Sequence, residues 1–89
     1  MHDFQHGDVL HYLDTDGHPQ TIVIATADGT DQTIAQAAQT QGPFSFVDSK
    51  HGEVDYKEGR FYVRKSGEEI TGNFVHYRNK EEIGTINNA

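Results

Sequence analysis

An α+β domain is what the sequence predicts: an antiparallel sheet of five or six strands in the order ββαββββ, with one helix packed on a face. Three observations predict it. Ile22, Val23, Ile24 and Ala25 form a short, β-branched apolar run that stops at Asp28-Gly29, which reads as a strand rather than a helix. Residues 30–43 carry a helix start and stop: Thr30 or Asp31 as N-cap, then Ile34, Ala35, Ala37 and Ala38 as an apolar stripe, then Gly42-Pro43. After residue 43 short segments alternate between apolar and polar, as half-buried strands do.

Taken in order, residues 1–7 read as a frayed lead-in. Asp8-Val9-Leu10-His11-Tyr12-Leu13 is a strand with Val9, His11 and Leu13 on one side and Leu10 and Tyr12 on the other. Asp14-Thr15-Asp16-Gly17 turns the chain, and Pro19 stands at the entrance of the next strand, where its missing donor matters least. The continuous run that follows, residues 21–26, predicts cover on both faces or an interior place in the sheet. The alanine stripe of the helix buries little area, so the sheet carries most of the stability.

Phe44-Ser45-Phe46-Val47 is the next strand, and three more follow as a meander. Val54 and Tyr56 face inward on the first; Glu58-Gly59 then turns into Arg60-Phe61-Tyr62-Val63-Arg64, with Phe61 and Val63 inward. Ser66-Gly67 leads to residues 70–78, where Ile70, Phe74 and His76 compete with Val75 and Tyr77 for the core and Gly72 marks a bulge that changes the facing. Asn79 with Glu82 resembles a capping box, so the tail reads as one short turn before residues 84–89 fray.

The 89 residues fit one small domain. The absence of cysteine excludes disulfides and thiolate chemistry, and no apolar stretch reaches the roughly 18 residues of a membrane span. The expected setting is cytoplasmic, with no membrane partner. Net charge is −7 and unevenly placed: residues 1–49 hold seven aspartates and no lysine or arginine, whereas residues 50–89 hold seven acids and seven bases.

Six histidines raise the question of a metal, but His2, His6 and His11 lie on a frayed end and a strand, where their spacing does not converge ligands. Asp14-Thr15-Asp16-Gly17 opens like a calcium loop, yet Ala25 stands where the bidentate glutamate belongs. Neither a metal nor another cofactor is expected. No serine has a nucleophile-elbow context and no glycine loop suits phosphate, which disfavours catalysis.

The remaining signal is a basic–aromatic group, Arg60, Tyr62, Arg64 and Tyr77, read as lying on neighbouring strands and facing out together. Tyrosine flanked by arginine suits a protein surface, although cross-strand pairing with Glu53, Asp55 and Glu69 gives the same pattern. The leading expectation is therefore a non-catalytic interaction module that binds another protein, or itself as a homodimer, through a sheet face or edge. The alternatives are an acidic nucleic-acid mimic built on the aspartates of residues 1–49 and a small enzyme. Direct nucleic-acid binding is opposed by the net charge.

The histidines also set a pH dependence. Acidification to about pH 5 charges most of the six rings and brings net charge toward zero, so sedimentation is expected to show more self-association than at about pH 7.5. Identical profiles would contradict this.

Overall fold

In the computed structural model, residues 3–26, 32–33 and 44–89 are described, apart from the side chains of residues 3, 32 and 33. The strands are β1 (Asp3–Phe4), β2 (Val9–Leu13), β3 (Pro19–Thr26), β4 (Gln32–Thr33), β5 (Phe44–Asp48), β6 (Gly52–Lys57), β7 (Arg60–Val63), β8 (Glu69–Ile70), β9 (Gly72–Arg78) and β10 (Glu81–Asn88). All pairings are antiparallel. Eight strands form one curled sheet in the order β10-β9-β2-β3-β5-β6-β7-β8, and β1 pairs with β4 as a separate ribbon.

The expected α+β class is thereby corrected to all-β, and the five- or six-stranded sheet to one of eight strands. Among the described residues there is no helix. Of the segment expected to be helical, Gln32 and Thr33 pair with Phe4 and Asp3, so their backbone is committed to a ladder rather than to helical bonds. The rest of that segment lies outside the described residues.

Alternation sorts each strand by face. Leu10, Tyr12, Ile22, Ile24, Phe44, Phe46, Val54, Tyr56, Phe61, Val63, Ile70 and Phe74 all point to the concave side and are buried. The curl lets that side pack on itself: the rings of Phe61 on β7 and Phe74 on β9 are 4.8 Å apart, although four strands separate them in the sheet. Eight strands are about the number whose rolled interior is just filled by side chains. Burial pushes the Tyr56 phenol up to about 12.

The chain ends also differ from expectation. Phe4 is fully buried and meets Phe44, Phe46, Tyr56 and His76 edge-on at 5.4–5.7 Å, so the lead-in supplies the ring that closes the core. Residues 79–89 hold no turn of helix. Asn79 and Lys80 have φ of 52° and 67°, the positive values that a tight hairpin of type I′ needs, and they reverse β9 into β10.

Gly72 does not switch the facing, since Ile70, Phe74 and His76 all remain inside. Instead the chain changes partners there: Ile70 pairs with β7, and from Gly72 onward β9 joins β10 and β2 at the other end of the sheet. Its φ of +153° suits glycine.

Replacing Phe4 by alanine is expected to cost about 3–5 kcal/mol in urea denaturation, a large part of a small domain's stability. An unchanged midpoint would show that the N-terminal segment is outside the core.

Candidate interaction surface

The same alternation that fills the concave side decides what faces out. Register places Tyr77 opposite Val9, Val9 opposite Val23, and Val23 opposite Val47. Four apolar residues thus form one row across β9, β2, β3 and β5 on the outer face. The row is bounded by Glu82 beside Tyr77 and Glu53 beside Val47. Val23 is 48% exposed, Val47 45% and Leu13, farther along β2, 62%.

A second row, Val75, His11 and Thr21, runs alongside. The His11 ring packs edge-on against Tyr77 at 5.0 Å, and His11 Nδ1 lies 2.9 Å from Thr21 Oγ1. Two open hollows flank His11. One, of about 490 Å³, is lined by Gly7, Val9, Tyr77, Asn79 and Lys80; the other, of about 400 Å³, by Leu13, Pro19, Asn73 and Val75.

The arginine–tyrosine residues expected at the site are only partly brought together. Tyr62 faces out between Asp55 and Glu69, its register partners on β6 and β8. Arg60 Nη1 donates to Glu69 Oε2 at 2.8 Å. Arg64 donates from Nε and Nη2 to Asp55 Oδ1 at 3.0 and 2.8 Å, with Glu53 Oε2 3.2 Å from Nη1. Their charge is therefore balanced within the sheet. Tyr77 is not beside them: β2, β3, β5 and β6 lie between β9 and β7. The partner change at Gly72 separates what the meander reading kept adjacent.

Inside, one polar cluster fixes the two strands that carry Val9 and Tyr77. His76 Nε2 donates to Asp8 Oδ2 at 2.7 Å, and Arg78 donates from Nε and Nη2 to both Asp8 oxygens at 3.0 and 2.9 Å. The Gln5 amide adds a bond at 2.9 Å. Burial alone would raise the Asp8 carboxyl, but Arg78, the Gln5 amide and His76 outweigh it and hold the group below its ordinary 3.8. Tyr12 donates to buried Asp48 Oδ1 at 2.6 Å, and burial with that bond pushes the phenol far above its ordinary value.

Of the aspartates expected to act as phosphate mimics, the side chains of Asp3, Asp28 and Asp31 lie outside the described residues, and among the other four only Asp16 is exposed. Asp8 and Asp48 are buried, and Asp48 Oδ2 accepts the Lys50 and His51 amides at 2.9 Å. Asp14 accepts from the Asp16 and His18 amides, Gln20 Nε2 and Lys50 Nζ at 2.8–3.2 Å. The His18 amide leads in holding the Asp14 carboxyl well below its usual range, against burial. Ligand atoms of Asp14, Asp16 and His18 lie within 4.8 Å of one another, but the Lys50 ammonium already answers their charge.

A hollow of about 140 Å³ opens nearby, lined by Lys50, His51, Glu68, Glu69 and Thr71 among others. It is smaller than the roughly 300 Å³ at which small-molecule pockets begin. No helix among the described residues is long and apolar enough to cross a membrane. Comparison with protein-family models, with curated proteins and with solved structures gives no match.

Because Asp8 and Asp14 are held below their ordinary 3.8, their stabilisation is present above that pH and is lost as pH falls through the lowered values. Urea midpoints are expected to lose this contribution only below about pH 4, and Asp8→Ala to cost about 3 kcal/mol at neutral pH by leaving His76 and Arg78 without their carboxylate. An Asp8→Ala midpoint equal to the wild type would refute the cluster's role.

Proposed function

We propose that the protein is a non-catalytic interaction module that docks a partner protein on the outer face of its sheet, along Tyr77, Val9, Val23 and Val47. The observation that carries this reading is the row itself. An antiparallel sheet with one solvated face ordinarily presents polar side chains there, and contiguous apolar surface on a water-exposed face marks a contact site. The fold does not require valine at positions 23 and 47; threonine or lysine would fit the same outward geometry.

Tyr77 supports the reading further. It is held at a fixed angle by His11, and the hollows on either side of that pair can receive side chains of a partner. Rigid aromatic anchors beside pockets are where interface energy concentrates. Glu53 and Glu82 at the two ends of the row favour a partner with basic residues flanking an apolar centre.

Affinity capture with quantitative mass spectrometry tests the assignment by comparing two double variants. Val23→Lys with Val47→Glu is expected to weaken capture of a specific protein at least about tenfold, equivalent to about 1.4 kcal/mol. Folding stability should change by no more than about 0.5 kcal/mol per exposed site. Tyr62→Ala with Arg64→Ala should retain the partner; the reverse pattern would move the site to β7.

A further inference from the structure

The two edges of the sheet are unequal. β8 is two residues long, whereas β10 is eight. Short length is one way natural sheets shield an edge; lysine, proline, charge and bulges are others. β10 has such shielding only at its start, where Glu81 and Glu82 precede a register irregularity before Gly84. The remainder, Gly84-Thr85-Ile86-Asn87-Asn88, is a regular strand without charge or proline. Among the described residues β10 pairs in the sheet only with β9, and at its end Asn88 donates from Nδ2 to the Gly59 carbonyl of the β6–β7 turn at 2.8 Å, which leaves residues 84–87 as the unpaired edge.

We infer that a second copy of this chain closes that edge, with two β10 strands running antiparallel about a two-fold axis at Thr85. The facing of the strand admits only registers whose axis lies on a residue, and Thr85 is the first outward, uncharged position after the irregularity. Thr85 is opposite outward Val75, and Ile86 is opposite inward Phe74. Directly opposed residues in an antiparallel ladder share a face. An axis on Thr85 satisfies this by setting Thr85 against its own copy and Gly84 against Ile86.

Charge selects the direction. The antiparallel arrangement places Glu82 of each copy beside Asn88 of the other, so neither glutamate side chain meets its own copy. Parallel addition of the same strand would set Glu81 and Glu82 against their own copies, which is unfavourable, and would not close as a two-fold dimer. The consequence is a single sheet continuous through both copies, with two valine rows on its outer side. The pairing does not depend on what docks on those rows.

Sedimentation equilibrium over a concentration series tests the inference. The wild type is expected to approach twice its 10.0 kDa as concentration rises, and Thr85→Lys, which sets two ammonium groups face to face on the axis, to remain at 10.0 kDa. The Val23→Lys, Val47→Glu variant should still dimerise, so failure of the docking face and failure of this edge are told apart. The chain has no cysteine, so Thr85→Cys gives a second readout if Thr85→Lys does not fold: oxidation should cross-link two copies, whereas Thr71→Cys beside β8 should not. A wild type at 10.0 kDa throughout, a dimeric Thr85→Lys, or a Thr85→Cys protein that stays uncrosslinked would each overturn the proposal.

Discussion

Everything in this fold follows from one packing constraint: among the described residues the sheet has no second layer, so its apolar face is buried by curling on itself. Phe46, Tyr56, Phe61, Phe74 and Tyr12 meet one another across the enclosed space at ring separations of 4.6–5.9 Å. Offset and edge-on contacts of that kind add to area burial. Phe4 reaches the same cluster from β1, which explains why a two-residue strand near the N-terminus matters to strands far along the chain. Among the described residues a sheet curled this way has one buried face, and its outward side chains meet water and one another.

That asymmetry gives the outer valines their meaning. Inside, the two buried carboxylates are tightly matched: Asp8 takes donors from His76, Arg78 and Gln5, and Asp48 from Tyr12 and two backbone amides. On the outside, β6 and β7 follow the ordinary pattern of cross-strand ion pairs, with Arg60 and Arg64 balanced by Glu69, Asp55 and Glu53. The departure is concentrated on β9, β2, β3 and β5, where Tyr77, Val9, Val23 and Val47 line up, with exposed Ile83 on β10 beyond them. The Asp8 cluster ties β2 to β9 directly beneath one half of this row. The stiffness of the surface and the stability of the fold therefore share a cause.

Much of the local structure was legible in the sequence. Alternation in Val54/Tyr56 and Phe61/Val63 gave the inward sets, and Asp14–Gly17, Glu58–Gly59 and Ser66–Gly67 gave the turns, because period-two patterns and positive-φ glycines act over a few residues. The class was not legible, since the cap and stop signals of residues 30–43 say nothing about the pairing of Gln32–Thr33 with Asp3–Phe4. Asn79 illustrates the same limit: Asn followed by Glu three residues on fits a capping box and a tight hairpin equally, and only the long-range pairing of β10 decides. The crossing at Gly72 was likewise hidden, and with it the separation of Tyr77 from Arg60, Tyr62 and Arg64. The clue to the valine row was present in Ile22-Val23-Ile24-Ala25, an unbroken apolar run whose odd member points out of an interior strand.

The most direct measurement is solvent paramagnetic relaxation at the valine methyl groups, using a soluble gadolinium chelate with the dilute, isolated protein. Curling with one buried face predicts strong relaxation at Val23 and Val47 and protection at Val54 and Val63. Equal protection of all four would mean that the outer face is already covered, and the account of an open valine row would be wrong.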